Sequence, residues 1–281
     1  MTNDFARDLH DYQLPPFLMG ILNITTDSFS DGGDFLAPDK AVNHARQMVA
    51  DGAKIIDIGA ESTRPGAEPV AEKEQINRVV PVIKALKDSL GEEIVLSIDA
   101  RRTAVAQAAI EAGASIINDV EAGRDDGMLA LAARTAVPIV LMHMQGQPQT
   151  MQENPHYENV VEEVRDFLLE RARQAQSVGV EKNKIIIDPG IGFGKSRRHN
   201  LAIMKHLADF TATGYPVLLG TSRKRFMGAI CQETVFRELL GATCATTVLG
   251  VQAGVRIFRV HDVRDNRQAM EVTSAVSSES S

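Results

Sequence analysis

With 281 residues, 44% of them hydrophobic, the chain has enough apolar material for one large core, near the roughly 250 residues of a single parallel α/β barrel. A net charge of −7 argues against a general nucleic-acid binder. Two cysteines, Cys231 and Cys244, stand in no metal-type spacing and exclude a disulfide framework, which points to a reducing cytoplasm.

The first sixteen residues, MTNDFARDLHDYQLPP, are polar and acidic and lack a signal-peptide core. No apolar run reaches the roughly 18 residues of a membrane span, so no membrane partner is expected. Eight short apolar runs follow, at 17–22, 54–58, 94–98, 115–117, 138–142, 185–187, 216–219 and 256–260. Helix-period segments lie between them. The first is expected at 38–50. A second, at 72–90, carries Ile76, Val79, Val80, Ile83 and Leu86 on one face. A third, at 103–111, ends near Gly113, a C-cap residue. The longest, at 157–178, ends at Gly179. This alternation predicts a single (β/α)8 TIM barrel domain over 1–281, with frayed ends at about 1–15 and 274–281. An open doubly wound sheet is the alternative, but no Gly-x-Gly-x-x-Gly follows the first run.

In a barrel the site lies where the strands end. The run IIIDPGIGFGK shows the pattern: three β-branched residues, then Asp188, then Pro189 and three glycines that open a loop. The other runs end in Asn23, Asp57, Asp99, Asn118 with Asp119, and Met142 with His143. The seventh leads into Thr221-Ser222-Arg223-Lys224, and the eighth delivers Arg259, His261 and Asp262. Asp99, Asn118 and Asp188 suit a planar heterocycle with several N–H donors. Arg259 and His261 share one face of the last strand, where barrels of this kind often hold phosphate. Asn23 and Asp31 are oxygen donors suited to Mg²⁺ bridging two phosphates. The loops after the first two runs, ITTDSFSDGGDF and GAESTRPGAEPV, are long enough to read as mobile lids. The simpler reading of Asp188 is a helix cap, and of His143 and His261 satisfied barrel histidines.

Taken together, MGILNITTDSFSDGG, IIDIGAESTRPGA, IINDV, LMHMQGQPQTMQ, IIIDPGIGFGK, TSRK and RVHDV resemble the dihydropteroate synthase family over nearly the whole chain, from about Leu18 to Met270. The resemblance implies a pterin-binding barrel transferase of folate biosynthesis, commonly a homodimer and the target of sulfonamides. It would condense 6-hydroxymethyl-7,8-dihydropterin pyrophosphate with para-aminobenzoate. By resemblance, Asp99, Asn118, Met142, Asp188 and Lys224 would bind the pterin. Asn23, Arg259 and His261 would hold the pyrophosphate with Mg²⁺, helped by Asp31. Phe29, Thr63, Arg64, Pro65, Phe193 and Ser222 would form the para-aminobenzoate site. Asp99, Asp188, Lys224, Arg259 and His261 would carry the catalysis. Competing readings are a pterin-dependent methyltransferase, a non-catalytic pterin-binding paralogue and a sulfonamide-tolerant form of the same enzyme. Two departures stand out. Thr26 replaces the family's usual proline in the first long loop, freeing φ there. Ala100-Arg101-Arg102-Thr103 replaces a small hydroxyl residue and a single basic residue before proline.

Overall fold

All eight apolar runs are strands in a computed structural model of the chain, which describes residues 2–24, 33–62 and 68–279. They are β1 (Phe17–Asn23), β2 (Ile55–Gly59), β3 (Val95–Asp99), β4 (Ile116–Asp119), β5 (Ile139–Met142), β6 (Ile185–Asp188), β7 (Leu218–Leu219) and β8 (Ile257–Val260). The helices are α1 (Thr2–Leu9), α2 (Gly33–Ala50), α3 (Glu72–Ser89), α4 (Thr103–Ala112), α5 (Met128–Thr135), α6 (Val160–Ser177), α7 (Arg197–Lys205), α8 (Leu207–Thr211), α9 (Arg225–Cys231), α10 (Leu240–Gln252) and α11 (Val263–Ser278). The strands pair in parallel in the order β6-β5-β4-β3-β2-β1-β8-β7. A parallel bridge between Ile187 and Val217 brings β6 against β7 and nearly closes the barrel.

Side chains alternate across each strand, and the two faces have different tasks. Ile56, Ile58, Leu96, Ile98, Ile117, Leu141, Ile187, Leu219 and Phe258 belong to the large cluster shared with the helices. Their neighbours Met19, Ile55, Ile116, Val140, Ile186, Leu218 and Ile257 form a second, separate cluster inside the barrel. Two residues further along the same inward face, the chemistry changes: Ile55 is followed by Asp57, Ile116 by Asn118, Ile186 by Asp188 and Ile257 by Arg259. The strand register keeps Asn23, Gly59, Asp99 and Asn118 in one row.

The amino terminus differs from expectation. Residues 1–15, read as frayed, include α1, whose Phe5 and Leu9 are buried in the inner cluster and seal the barrel's lower mouth. Arg256 fastens the segment that follows. Its guanidinium donates to the carbonyls of Asp8, Leu9 and Leu14 and lies over the rings of Tyr12 and Phe17. At the other end α11 continues to Ser278, past the expected fraying point at 274. The helix expected at 157–178 starts at Val160, because Asn159 caps it by accepting from the Glu162 N–H. Gly113 does end α4, at φ 124°, where its N–H reaches the carbonyls of Ala109 and Ile110.

Candidate active site

The polar row opens at the upper mouth of the barrel, and its members are joined. Asp57, fully buried on β2, accepts from Ser97 Oγ at 2.6 Å, from Asn118 Nδ2 at 3.0 Å and from Arg259 Nε at 2.6 Å. The other arm of Arg259 reaches Asp99 Oδ2 at 2.7 Å. Sorting by charge placed Arg259 with the phosphate-binding groups. Its guanidinium also bridges Asp57 and Asp99, the latter in the heterocycle half, so it links the two halves. Asp57, which the sequence marks only as a strand end, is the hub of this network. The signal was present: a carboxylate within the apolar run IIDIG requires buried partners.

Asp188 ends β6 with Oδ1 accepting from the Gly190 N–H at 2.7 Å. It caps no helix. The next one, α7, is capped by Ser196, which accepts from His199 N. Three carboxylates, Asp57, Asp99 and Asp188, thus face two partly exposed cations, Arg259 and Lys224. Burial, with Asp57, Asp119 and Glu61 nearby, pushes Asp99 up to about 7, against the pull of Arg259. Burial also raises Asp188, opposed by Lys224 and the Gly190 N–H. Lys224 is lowered to about 8, by burial first and with Arg259 adding, while Asp188 opposes the shift.

Lys224 is the residue before α9, and its ammonium donates to the Ile191 carbonyl and lies 4.6 Å from the Phe193 ring. Phe193 packs on a small cluster of Met142, Met144, Met151 and Val120. Met142 is therefore part of a thioether wall, as a polarizable gap-filler should be. Ser222 Oγ and His261 Nδ1 are 3.0 Å apart, and the His261 N–H also reaches Ser222 Oγ. Arg223, in the left-handed region at φ 58°, forms a double hydrogen bond with Asp262. Together these contacts lock the β7 and β8 loops side by side. His143 is a satisfied histidine, held neutral by burial and by the nearby Lys195.

The departure after Asp99 has a use. Arg101 donates to both carboxylate oxygens of Glu61 and to Glu121, tying the β2, β3 and β4 loops together. Arg102 pairs with Asp125, whose other oxygen accepts from the Thr103 N–H at the start of α4. Asn23 stands at the end of β1 on the inward face, beside Gly59. The expected site residues Phe29, Asp31, Thr63, Arg64 and Pro65, and the departure at Thr26, lie outside the described residues.

A parallel barrel with buried carboxylates and an amide at one mouth, and a histidine and serine beside them, is the layout of a heterocycle-binding barrel enzyme. The family model for pterin-binding enzymes matches residues 19–261. The dihydropteroate synthase of Haemophilus influenzae is 44% identical over 92% of this chain and 94% of its own length. The crystal structure of Xanthomonas albilineans dihydropteroate synthase with 4-aminobenzoic acid superposes with a TM-score of 0.89 at 42% identity, covering 95% of this chain and 94% of that one. The same enzyme in complex with 7,8-dihydropteroate gives 0.85 at 39% identity, with 95% of each chain covered. The chain belongs to the pterin-binding enzyme family and, within it, to the dihydropteroate synthases, which are transferases.

Proposed function

We propose the following division of labour for the condensation of 6-hydroxymethyl-7,8-dihydropterin pyrophosphate with para-aminobenzoate to dihydropteroate and pyrophosphate. The observation that carries it is the inward face on which Asp99, Asn118 and Asp188 follow Ser97, Ile116 and Ile186 at the strand ends. Those groups accept from the N–H donors of the pterin, and Lys224 gives to its carbonyl side. Met142 forms the wall of that recess. His261, Ser222 and Arg259 face the diphosphate, while Phe193 and Ser222 border the para-aminobenzoate site with Phe29, Thr63, Arg64 and Pro65.

The reaction breaks the bond from the pterin methylene to oxygen and forms one to the arylamine nitrogen, whose proton goes to solvent. In a dissociative sequence the methylene becomes positive before the amine arrives. An excess of carboxylates over cations in the recess favours that charge in place. His261 and Arg259 offset the negative charge gathering on the leaving diphosphate.

Mg²⁺ suits this account. Among the described residues no group of three or more His, Cys, Asp or Glu side chains is arranged to hold a metal. Mg²⁺ commonly relies on substrate phosphates, water and one or two protein oxygens, and Asn23 with Asp31 would supply that number. When bound it adds positive charge to the diphosphate.

The reading includes a homodimer, supported by the exposed Leu249 on α10 and Val272 and Val276 on α11. It also includes a cytoplasmic setting, supported by the free thiols of Cys231 and Cys244. No helix among the described residues is long and apolar enough to cross a membrane. The test is pyrophosphate release measured with both substrates, with and without Mg²⁺. Release that requires both substrates and rises with Mg²⁺ supports the proposal. Equal release without the arylamine would instead indicate a pyrophosphatase.

A further inference from the structure

Lys195 has no part in the chemistry above, yet its side chain is among the largest buried in the molecule, at 2% exposure. Its nitrogen is encircled by four neutral acceptors: His143 Nδ1 at 2.9 Å, the Gly190 carbonyl at 2.9 Å, the Phe193 carbonyl at 3.0 Å and the His143 carbonyl at 3.2 Å. A buried amine needs such a cage. Two of its carbonyls come from one short turn, and the other two acceptors belong to His143, directly after β5. Lys195 therefore staples the turn after β6 onto the end of β5.

That turn is built for close approach. Gly190, Gly192 and Gly194 all have positive φ. A Cβ on Gly190 would lie 1.9 Å from the His143 carbonyl oxygen, and one on Gly194 would lie 2.3 Å from that of Gln145. On its far side the turn carries Lys224. A Cβ on Gly192 would meet the Lys224 stem at 3.0 Å, the Ile191 carbonyl accepts from its ammonium, and the Phe193 ring lies 4.6 Å away. The same turn is thus gripped from within by one lysine and serves as the rest for another.

We propose that Lys195 is a positioning residue: by fixing the Gly190 and Phe193 carbonyls it sets the height at which Ile191 and Phe193 hold the Lys224 ammonium beside Asp188. The inference rests on the reading of Lys224 as a pterin-binding group. Burial holds Lys195 well below the ordinary amine range, with Asp188 opposing and Lys224 adding to the shift, which fits a group kept for its geometry.

The test is a double-mutant cycle on calorimetric affinity for 6-hydroxymethyl-7,8-dihydropterin, using the full chain. Lys195→Met keeps the stem and removes the donors. It should weaken binding roughly tenfold in the otherwise native protein, the scale of a lost charge-assisted contact. In a Lys224→Ala background the same change should matter less than about twofold, near the limit of simple additivity. His143→Leu, which removes one acceptor and leaves three, repeats the cycle should Lys195→Met not fold, and its smaller loss should vanish in the same way. An undiminished penalty in the Lys224→Ala background would overturn the inference while leaving the Lys224 reading intact. No loss from Lys224→Ala alone would overturn both.

Discussion

The two mouths of the barrel are built from the same strands and differ in almost every other respect. At the lower mouth Met19, Ile55, Ile116, Val140, Ile186, Leu218 and Ile257 meet Phe5 and Leu9 of α1, and the layer is wholly apolar. About two residues along, some 7 Å at the rise of a strand, the inward positions become Asp57, Asn118, Asp188 and Arg259. The lower layer gains stability from burial and the upper one spends it. Three largely buried carboxylates are held beside two partly exposed cations, and burial raises Asp99 and lowers Lys224. A single strand of five residues therefore serves both folding and chemistry, with the division set by which inward position is considered.

The largest expected effect comes from removing the cation that joins the carboxylates. Arg259→Ala leaves Asp57 and Asp99 buried without their shared partner. Breaking a buried pair this way typically lowers stability by about 3–5 kcal/mol, which urea denaturation would read. Because Arg259 bridges both halves, the pterin alcohol and its pyrophosphate should both bind weakly to the variant. His261→Ala should weaken mainly the pyrophosphate. A selective loss of pyrophosphate affinity in Arg259→Ala would return Arg259 to the phosphate half alone.

The lower mouth should behave in the opposite way. Leu9 is fully buried, and Leu9→Ala should lower stability by about 3 kcal/mol, within the range for buried leucines. Its kcat/KM at a temperature where the variant is folded should match that of the parent. A kinetic defect without a stability defect would show that α1 communicates with the upper mouth.

The titrations separate the regions again, since the inner apolar cluster carries no ionisable side chain. Asp99, raised to about 7, loses its acceptor charge as pH falls through that value, and Lys224, lowered to about 8, loses its proton as pH rises through that one. In the free enzyme kcat/KM should therefore peak between the two and fall roughly tenfold per pH unit on each side. Replacing Asp99 with Asn should flatten the acid limb of whatever activity survives. An acid limb unchanged in Asp99→Asn would assign it to another group.

Much of this contrast was legible in the sequence, and the exceptions have physical reasons. Alternation of apolar runs and helix-period segments located all eight strands, because burial on both faces leaves an unmistakable apolar run. Strand ends identified Asp99, Asn118 and Asp188. The α1 plug was hidden because its apolar residues Phe5, Ala6 and Leu9 sit on a segment otherwise polar. Its order comes from a cavity made by residues far along the chain, which no local pattern reports. The link from Arg259 to the heterocycle half was hidden for a related reason. The neighbour of Arg259 in sequence, His261, suggested phosphate, while its partners Asp57 and Asp99 are 202 and 160 residues away. Lys195 carries no sequence signal of its role, because nothing in a sequence says that a lysine points inward.

The central claim, that the polar layer at the upper mouth is a pterin site, is tested most directly at Asp188, which faces Lys224, accepts from the Gly190 N–H and caps no helix. Isothermal titration of 6-hydroxymethyl-7,8-dihydropterin into the parent and Asp188→Asn proteins isolates its contribution. A charge-assisted hydrogen bond contributes about 1.5–3 kcal/mol, so the account predicts affinity weaker by roughly tenfold or more, with the unfolding midpoint preserved or raised as a buried charge is removed. Undiminished affinity in a folded Asp188→Asn protein would contradict it.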